Sequence, residues 1–331
     1  MITRLWAWAD RVQRRHGVFG FGYAVVKKYV DDAGGRHAAL ITYYGFLSIF
    51  PLLLVGVAVL SNVLVEHPSL REQLVNALVP PELRPTVDHA VATMPSSGVP
   101  FIIGVIGLLF SATGVVFSVY DTLNHLAGVP RRLRFHLVPR YVRALAMLIT
   151  VLAGGLVVAA LTVVSTAVVD TTGLEQVASA VGAAVVVFAV LLVAVKLLVA
   201  RPVRLRAAWP AAAMGGVTVA AVLTLGTRLL TALVAHAGAI YGSFATVVGS
   251  FTLLYLVSQA LLYSAEIAIV RHAQLWPRAL DSAHPTAADV RVLTGLAQEQ
   301  ERLAAERIQT RFDAGDAAGT RRRTKTSRDG P

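Results

Sequence analysis

The feature that most constrains this chain is a set of six long segments that contain almost no charged residues. Each is about 20 residues or longer, and they lie near 38–60, 99–120, 142–169, 177–200, 208–235 and 243–270. About 20 apolar residues cross the hydrocarbon core of a bilayer as a helix. Only helices and closed barrels can cross it, and these segments are too long and continuous for barrel strands. We therefore predict an all-α polytopic membrane protein with six transmembrane helices.

The charged residues predict the orientation of those helices. Only 15% of the 331 residues are charged, and the net charge is +11. Basic residues concentrate before the first apolar segment, in alternate links and after the last segment, whereas the 61–98 loop mixes Arg71 and Arg84 with acidic residues. Because basic residues flank membrane helices on the cytoplasmic side, we predict a bacterial inner-membrane protein with both termini in the cytoplasm. The positive charge then serves topology and attraction to anionic lipids, and we expect no nucleic-acid partner.

The same patterns divide the chain into four parts. Residues 1–37 mix basic, apolar and aromatic residues and suit a cytoplasmic or interfacial segment. Residues 38–275 form the six-helix domain, with a small helical external cap in the 61–98 loop. We predict a cytoplasmic helix within 276–311 and a disordered basic tail over 312–331.

The first apolar segment carries polar residues and a proline. Tyr44, Ser48 and Pro51 recur at helical spacing and share one face. A proline inside a helix frees the carbonyl four residues earlier, and lipid cannot satisfy that carbonyl. We therefore expect this face to lie inside the bundle, where it either packs against another helix or lines a cavity.

The second segment carries a row of small residues. Gly104, Gly107, Ser111 and Gly114 repeat at alternating spacings of three and four residues. Such rows let two membrane helices approach closely. We interpret this one as a helix-packing seam.

The last segment holds a polar face with one acid. Tyr255, Ser258, Gln259 and Glu266 lie near one side of a helix. Ionisable residues within a membrane helix usually face the bundle interior and are functional candidates. Glu266 either reaches the interface or pairs with a loop arginine, or it has a role linked to protons or to the substrate.

The fifth segment contains the one basic residue inside a predicted helix on the external side. Thr224, Thr227 and Arg228 share a face in its outer half. Arg228 either extends outward to the interface or pairs with an external carboxylate, or it binds a phosphate or carboxylate of a lipid or solute, which the guanidinium group matches in shape.

Signals for enzymatic chemistry are absent from the sequence. The chain has no cysteine, and its nine histidines include no close metal-binding pair. It has neither a P-loop nor a G-x-S-x-G elbow. We predict no catalytic residue, no metal and no cofactor.

Three blocks of this sequence resemble the YihY/BrkB family of inner-membrane proteins. They are "HAALITYYGFLSIFPLLLVGVAVL" (37–60), "GLLFSATGVVFSVYDTLNHLAGVP" (107–130) and "YGSFATVVGSFTLLYLVSQALLYSAEIAIV" (241–270). The resemblance covers roughly residues 20–275 and implies six helices with cytoplasmic termini. Family members were once labelled ribonuclease BN, but the His-rich zinc motif of that nuclease is absent here. The sequence departs from the family pattern at Ser264, where a glycine often stands.

The resemblance also implies a role in the cell envelope. The family is linked to envelope integrity and serum resistance, and its YhjD-like branch to export of lipid precursors. Our first hypothesis is a transporter or flippase-like exporter of an amphipathic envelope component, with a polar cavity between the first, fifth and last helices. The alternative is a non-transporting scaffold for envelope integrity, and a membrane ribonuclease is a distant third. The predicted partners are membrane lipids, including anionic ones, and an amphipathic substrate.

Overall fold

The computed structural model describes most of the helical part of the chain. The ranges are residues 17–63, 84, 89, 99–167, 173–201, 203, 206, 208–222, 225–226, 243–280 and 285–312. Most of the predicted external cap (61–98) and the predicted tail beyond residue 312 lie outside them. No strand occurs within these ranges, so the all-α prediction is confirmed.

Eight helices occur within the described ranges. They are α1 (Gly17–Asp31), α2 (Gly34–Val63), α3 (Val99–Leu126), α4 (Leu137–Ala167), α5 (Gly173–Leu198), α6 (Ala208–Val222), α7 (Ser243–His272) and α8 (Ala287–Glu299). A short 3-10 turn, Arg131–Leu133, joins α3 to α4.

Five of these helices are long and apolar enough to cross a membrane. They are α2, α3, α4, α5 and α7. Large apolar side chains such as Phe110 and Leu156 remain 74% and 72% exposed, as expected of surfaces that face lipid tails. The predicted fifth membrane helix corresponds to α6, a shorter apolar helix, and residues 223–224 and 227–242 lie outside the described ranges. The structure thus supports a multi-pass membrane protein with five candidate spans, while the sixth span and the orientation remain predictions.

Helix α7 lies at the centre of the packing. Helix α2 packs against α3 and α7, α4 packs against α5, and α1 packs against α7. Of the five candidate spans, α7 is the most buried. We call the end of the bundle that holds the N-termini of α2 and α4 and the C-termini of α3, α5 and α7 the basal end.

The chain reverses sharply between α1 and α2. Ala33 adopts a positive φ of 51°. Gly34 lies so close to the Tyr29 ring that an added Cβ would collide with it. Glycine is therefore needed at this position for α1 to fold back beside the bundle.

Helix α8 also packs at the basal end. Its first turn has a capping box, in which Thr286 Oγ1 accepts a hydrogen bond from Asp289 N and Asp289 Oδ2 accepts one from Thr286 N. Val292 packs with Ala24 of α1 and Val270 of α7. The helix ends at Glu299, so it is shorter than the predicted range 276–311. The Glu301 carboxylate accepts a hydrogen bond from the Ile308 backbone, which folds the following residues back.

Candidate functional site

A buried ionic cluster lies at the basal end where α1 meets α7. It consists of Lys28, Asp32 and Glu266, and we call it the Lys28 cluster. Lys28 Nζ lies 3.3 Å from Glu266 Oε2 and also donates a hydrogen bond to Asp32 Oδ2. The three residues are 5%, 1% and 0% exposed. Ionisable groups this deeply buried in a membrane protein are functional candidates.

The local sequence explains how α1 and the turn directly after it supply two members of the cluster. Lys28 and Asp32 are four residues apart, and Asp32 N donates a hydrogen bond to Lys28 O at 2.8 Å, so both side chains share one helical face. Between them, Tyr29 stacks on Tyr263 of α7 with ring centroids 4.2 Å apart. This stacking holds the lysine and the aspartate of α1 against α7, where Glu266 lies.

The carboxylate oxygens of the Lys28 cluster are poorly satisfied. Within the described ranges, Asp32 Oδ1 and both oxygens of Glu266 are buried and accept no hydrogen bond. Buried polar atoms are nearly always hydrogen-bonded, and exceptions call for an explanation. The unsatisfied oxygens set this cluster apart from an ordinary structural ion pair.

The polar face predicted for the last apolar segment points to α1 and α2. Gln259 Nε2 donates hydrogen bonds to the hydroxyls of Tyr29 and Tyr255, at 3.3 and 3.2 Å. Ser258 accepts a hydrogen bond from Thr42 at 3.2 Å. Burial raises the pKa of the Tyr29 hydroxyl above its ordinary value, which keeps that hydroxyl neutral. Tyr255, Ser258, Gln259 and Glu266 thus lie along one contact surface of α7.

Two histidines border the Lys28 cluster. His125 Nε2 lies 3.1 Å from the Asp32 carbonyl oxygen, and His125 Nδ1 lies 2.5 Å from Glu299 Oε2. The ring of His37 is 5.0 Å from that of His125, and His37 Nδ1 is 3.1 Å from Thr122 Oγ1. His125 therefore connects the turn after α1 with the end of α8.

The Glu299 carboxylate is held in its charged form. Burial alone would raise its pKa, but the hydrogen bond and charge of His125 and the charge of Arg134 outweigh burial and lower the pKa. Arg134 Nη2 donates to Glu299 Oε1 at 2.6 Å. The end of α8 is thereby attached to both α3 and the link that follows it.

A second buried ionic cluster fixes the start of α8. We call it the Asp289 cluster, formed by Lys27, Arg278 and Asp289. Lys27 Nζ and Arg278 Nε donate to Asp289 Oδ1 at 3.0 and 2.6 Å. The backbone nitrogens of Ala279 and Thr286 donate to Asp289 Oδ2 at 2.8 and 2.9 Å. Both oxygens of this carboxylate are therefore satisfied.

Polar side chains also tie together the ends of α3, α4 and α5. Asn124 Nδ2 donates to the Leu198 carbonyl and Asn124 Oδ1 accepts from Ala200 N, both at 2.8 Å. Asp121 accepts a hydrogen bond from Arg140 at 2.9 Å. These contacts cap a helix end and join helices.

An apolar cavity of about 110 Å³ lies between five helices near the Lys28 cluster. Its lining comes from α2, α3, α5, α6 and α7, and includes Ile41, Thr122, Ala211, Gly215 and Ser264. The cavity differs from the polar one that we expected between the first, fifth and last helices, because two further helices line it and most of its lining is apolar. Ser264 and Ala265 line it directly before Glu266.

The polar face of α2 lies at a helix contact. An added Cβ at Gly107 would lie 3.2 Å from Pro51, and one at Gly114 would collide with the Tyr44 ring. An added Cβ at Gly104 would lie 3.0 Å from Val55, also on α2.

The hydroxyls along this contact are satisfied locally. Ser111 is 1% exposed and donates to the Gly107 carbonyl. Ser48 donates to the Gly45 carbonyl. Tyr44 and Pro51 thus lie against the row of small residues on α3, and none of the three predicted polar positions lines the cavity.

The remaining predicted residues are not placed by the structure. Thr224, Thr227 and Arg228 lie outside the described ranges. Within those ranges, no group of three metal-binding side chains is arranged to hold an ion.

Sequence reasoning missed most partners of Glu266. It treated Lys28 and Asp32 as part of a basic interfacial segment, and the histidines as scattered. The available signal was the four-residue spacing of Lys28 and Asp32 directly before Gly34-Gly35, which indicates a helix face followed by a tight turn. The contact with Glu266 spans more than 230 positions of sequence, and no local pattern encodes it.

Comparison with known proteins identifies the family. A family model described as "Virulence factor BrkB" matches residues 25–289. An uncharacterized protein of Dickeya dadantii (strain 3937) is 29% identical over 106 residues, which make up 31% of this chain and 30% of that protein. The chain therefore matches under a third of that relative's length, and no solved structure matches the chain significantly. The family match extends from α1 to α8 and covers both buried ionic clusters, and the protein belongs to the BrkB virulence factor family, as its three sequence blocks indicated.

Proposed function

We propose that this protein is a transporter of the flippase type that moves an amphipathic component of the cell envelope. The observation that carries the proposal is an apolar cavity whose lining includes Ser264 and Ala265, the two residues of α7 directly before the buried acid Glu266. An amphipathic molecule has an apolar chain and a polar group, and the two neighbouring surfaces match these two parts.

The lining of the cavity supports movement of the substrate. It is shared by five helices, so small shifts of one helix against the others change its size and opening. Small residues make up part of the lining, and Gly215 approaches Leu191 closely enough that an added Cβ would lie 2.8 Å from its Cδ1. Ligand sites in transporters commonly lie between helices that move relative to one another.

The basic residues at the basal end indicate the side from which a substrate would enter. The basal end holds Arg132, Arg134, Arg140 and Arg143, in agreement with a cytoplasmic basal end. A substrate would enter the cavity from that side or from the lipid. Arg228 remains our prediction for the contact with an anionic headgroup, because the guanidinium group fits phosphates and carboxylates.

The proposal is tested with purified full-length protein in liposomes. The probe is phosphatidylglycerol with a fluorescent acyl chain, and the measurement is the fraction that moves between leaflets over time. Ala211→Leu fills the cavity and should slow movement roughly tenfold, which corresponds to about 1.4 kcal/mol. Ala221→Leu, an exposed position on the same helix, is the matched control and should not change the rate. Equal rates with wild-type protein and with empty liposomes would refute transport of this lipid class.

A scaffold function has one observation in its favour. Helix α8 and residues 299–308 are bound to the basal end by Asp289, Glu299 and Glu301, and so present a fixed surface. If that surface acts by binding partners, Asp289→Ala should damage envelope integrity more than Glu266→Gln does. The transport proposal requires the opposite order when both variants are present in equal amounts.

A further inference from the structure

We propose that Lys28, Asp32 and Glu266 form a binding site for one exchangeable proton. The site is defined by its geometry and stands without the transport proposal, whereas its use as the coupling ion of the transporter depends on that proposal.

The net charge of the three ionised groups favours a bound proton. Two carboxylates and one ammonium group carry a net charge of −1 when all are ionised, and all three groups are at least nine-tenths buried. An uncompensated charge in such a place is very costly. One proton on either carboxyl group brings the cluster to neutrality.

The carboxylate oxygens that accept no hydrogen bond also favour a bound proton. Asp32 Oδ1 and both Glu266 oxygens accept no hydrogen bond from the described part of the chain. The Asp32 and Glu266 carboxylates both face the ammonium group of Lys28. Two ionised carboxylates cannot donate a hydrogen bond to these oxygens, because each only accepts, but a protonated one donates. The proton therefore supplies the donor that the cluster lacks.

A metal cation fits this site poorly. The ammonium group of Lys28 already lies 3.3 Å from Glu266 Oε2 and is bonded to Asp32. A sodium or divalent ion between the same oxygens would lie next to that positive charge. A proton adds no volume and forms a covalent bond to one oxygen, so it is the cation that the space permits.

The surroundings set the field that acts on this proton. Tyr29 on α1 stacks on Tyr263 of α7 beside the cluster, and burial raises the pKa of the Tyr29 hydroxyl. Arg36 and His37 on α2, His125 on α3 and Glu299 on α8 are the other titratable or charged groups nearby. Protonated histidines would disfavour the bound proton and Glu299 would favour it, because they add charge of opposite sign.

Binding of the proton affects the contact between α1 and α7. Lys28 belongs to α1 and Asp32 to the turn that follows it, while Glu266 belongs to α7. With the proton bound, the cluster is neutral and α1 can remain packed on α7. Without it, two negative charges face one positive charge, and separation of α1 from α7 becomes easier.

The test is infrared titration of the full-length protein in lipid nanodiscs. At about pH 6, free aspartate and glutamate are ionised, so a band from a protonated carboxyl group reports this site. We expect a band equivalent to one carboxyl group in the wild type and its loss in Glu266→Gln. Glu306→Gln, at a carboxylate outside the cluster whose pKa is lowered by backbone hydrogen bonds, is the control and should retain the band.

The outcomes separate this proposal from the transport proposal. A wild-type protein with no protonated carboxyl band at about pH 6 overturns the proton site, because free carboxyl groups are also ionised there. A band that persists in both Glu266→Gln and Asp32→Asn overturns it too. A band that Glu266→Gln removes, in a protein that moves no lipid, supports the proton site and refutes transport instead.

Discussion

Neighbouring lysines on α1 belong to two ionic clusters. The carboxylate oxygens of these clusters differ in how many hydrogen bonds they accept. Lys27 pairs with Asp289, whose two oxygens accept hydrogen bonds from two side-chain cations and from backbone nitrogens. Lys28 pairs with Asp32 and Glu266, and three of the four oxygens in that cluster accept no hydrogen bond within the described ranges. The carboxylates are buried in both clusters, whereas the Lys27 side chain is more exposed than that of Lys28, so the clusters differ in carboxylate hydrogen bonding and in the burial of their lysines.

The difference indicates different roles. A buried ion pair with all its hydrogen bonds made is a rigid attachment, and loss of one partner leaves a buried charge unpaired. In the Asp289 cluster both carboxylate oxygens accept hydrogen bonds, and this cluster attaches α8 to α1. The carboxylate oxygens of the Lys28 cluster mostly lack such hydrogen bonds, and deeply buried ionisable groups of this kind are candidates for binding.

The largest effect on stability is expected from Asp289→Ala. It leaves Arg278 and Lys27 without their shared carboxylate, and we expect the free energy of unfolding to fall by about 3–5 kcal/mol. The measurement is unfolding in mixed detergent micelles followed by circular dichroism. Gln309→Ala, at an exposed loop position, is the control. A loss below about 1 kcal/mol would contradict the structural role of this cluster.

The pH dependence of the same cluster has a defined sign. Burial alone would raise the pKa of Asp289, but hydrogen bonds from Arg278, Ala279 and Thr286 hold it well below the ordinary value. A carboxyl group with a lowered pKa stabilises the fold above its unfolded pKa, about 3.9 for aspartate, and this contribution is lost as pH falls through the folded pKa. Attachment of α8 should therefore persist at about pH 5 and weaken only below about pH 4, as measured by protease protection of the region after residue 280.

A smaller and pH-dependent effect is expected from Lys28→Met. It removes the only cation of the Lys28 cluster and should lower the free energy of unfolding by roughly 2–4 kcal/mol near neutral pH. As pH falls, protons neutralise the carboxylates in place of the lysine, so the difference from wild type should shrink between about pH 7 and about pH 5. The same unfolding measurement at both pH values checks this. A difference that grows on acidification would contradict the contrast drawn between the two clusters.

The link between the two regions should contribute less still. Glu299→Gln removes the charge that His125 and Arg134 share, and we expect a loss of roughly 1–2 kcal/mol. Unfolding in micelles again provides the measurement, with exposed Gln298→Ala as the matched control. A loss as large as that of Asp289→Ala would mean that α8 is held mainly by its C-terminal end.

The smallest effect on stability is expected from Glu266→Gln. The variant removes one buried carboxylate and leaves Lys28 paired with Asp32, so the free energy of unfolding should change by less than about 1 kcal/mol. This outcome would show that Asp289 stabilises the fold and that Glu266 does not. A loss of about 3 kcal/mol or more would instead make Glu266 a structural partner.

Much of the fold was predictable because lipid leaves few alternatives. Long uncharged segments must be helices in a bilayer, and five of the six predicted segments are such helices. The fifth segment is described only in part, as α6 and residues 225–226, so its span remains a prediction. Periodicity gives the extent of an apolar segment but does not show where a helix ends.

The candidate site was predictable only in part. An acid in a membrane helix attracts attention by itself, so Glu266 was found, as was the row of small residues on α3. Lys28 and Asp32 looked like interfacial charges, because their sequence surroundings are basic and they lie before the first span. Their burial follows from the reversal at Gly34, which depends on the Tyr29 contact and not on hydropathy.

The central claim is that Glu266 serves transport and not merely packing. The most direct test compares wild type and Glu266→Gln in liposomes at equal protein density, with fluorescent phosphatidylglycerol as the probe and stability measured on the same samples. If Glu266 serves transport, Glu266→Gln should retain wild-type stability and move lipid at least about tenfold more slowly, equivalent to about 1.4 kcal/mol. A stable variant that moves lipid as fast as wild type, or a wild type no faster than empty liposomes, would contradict it.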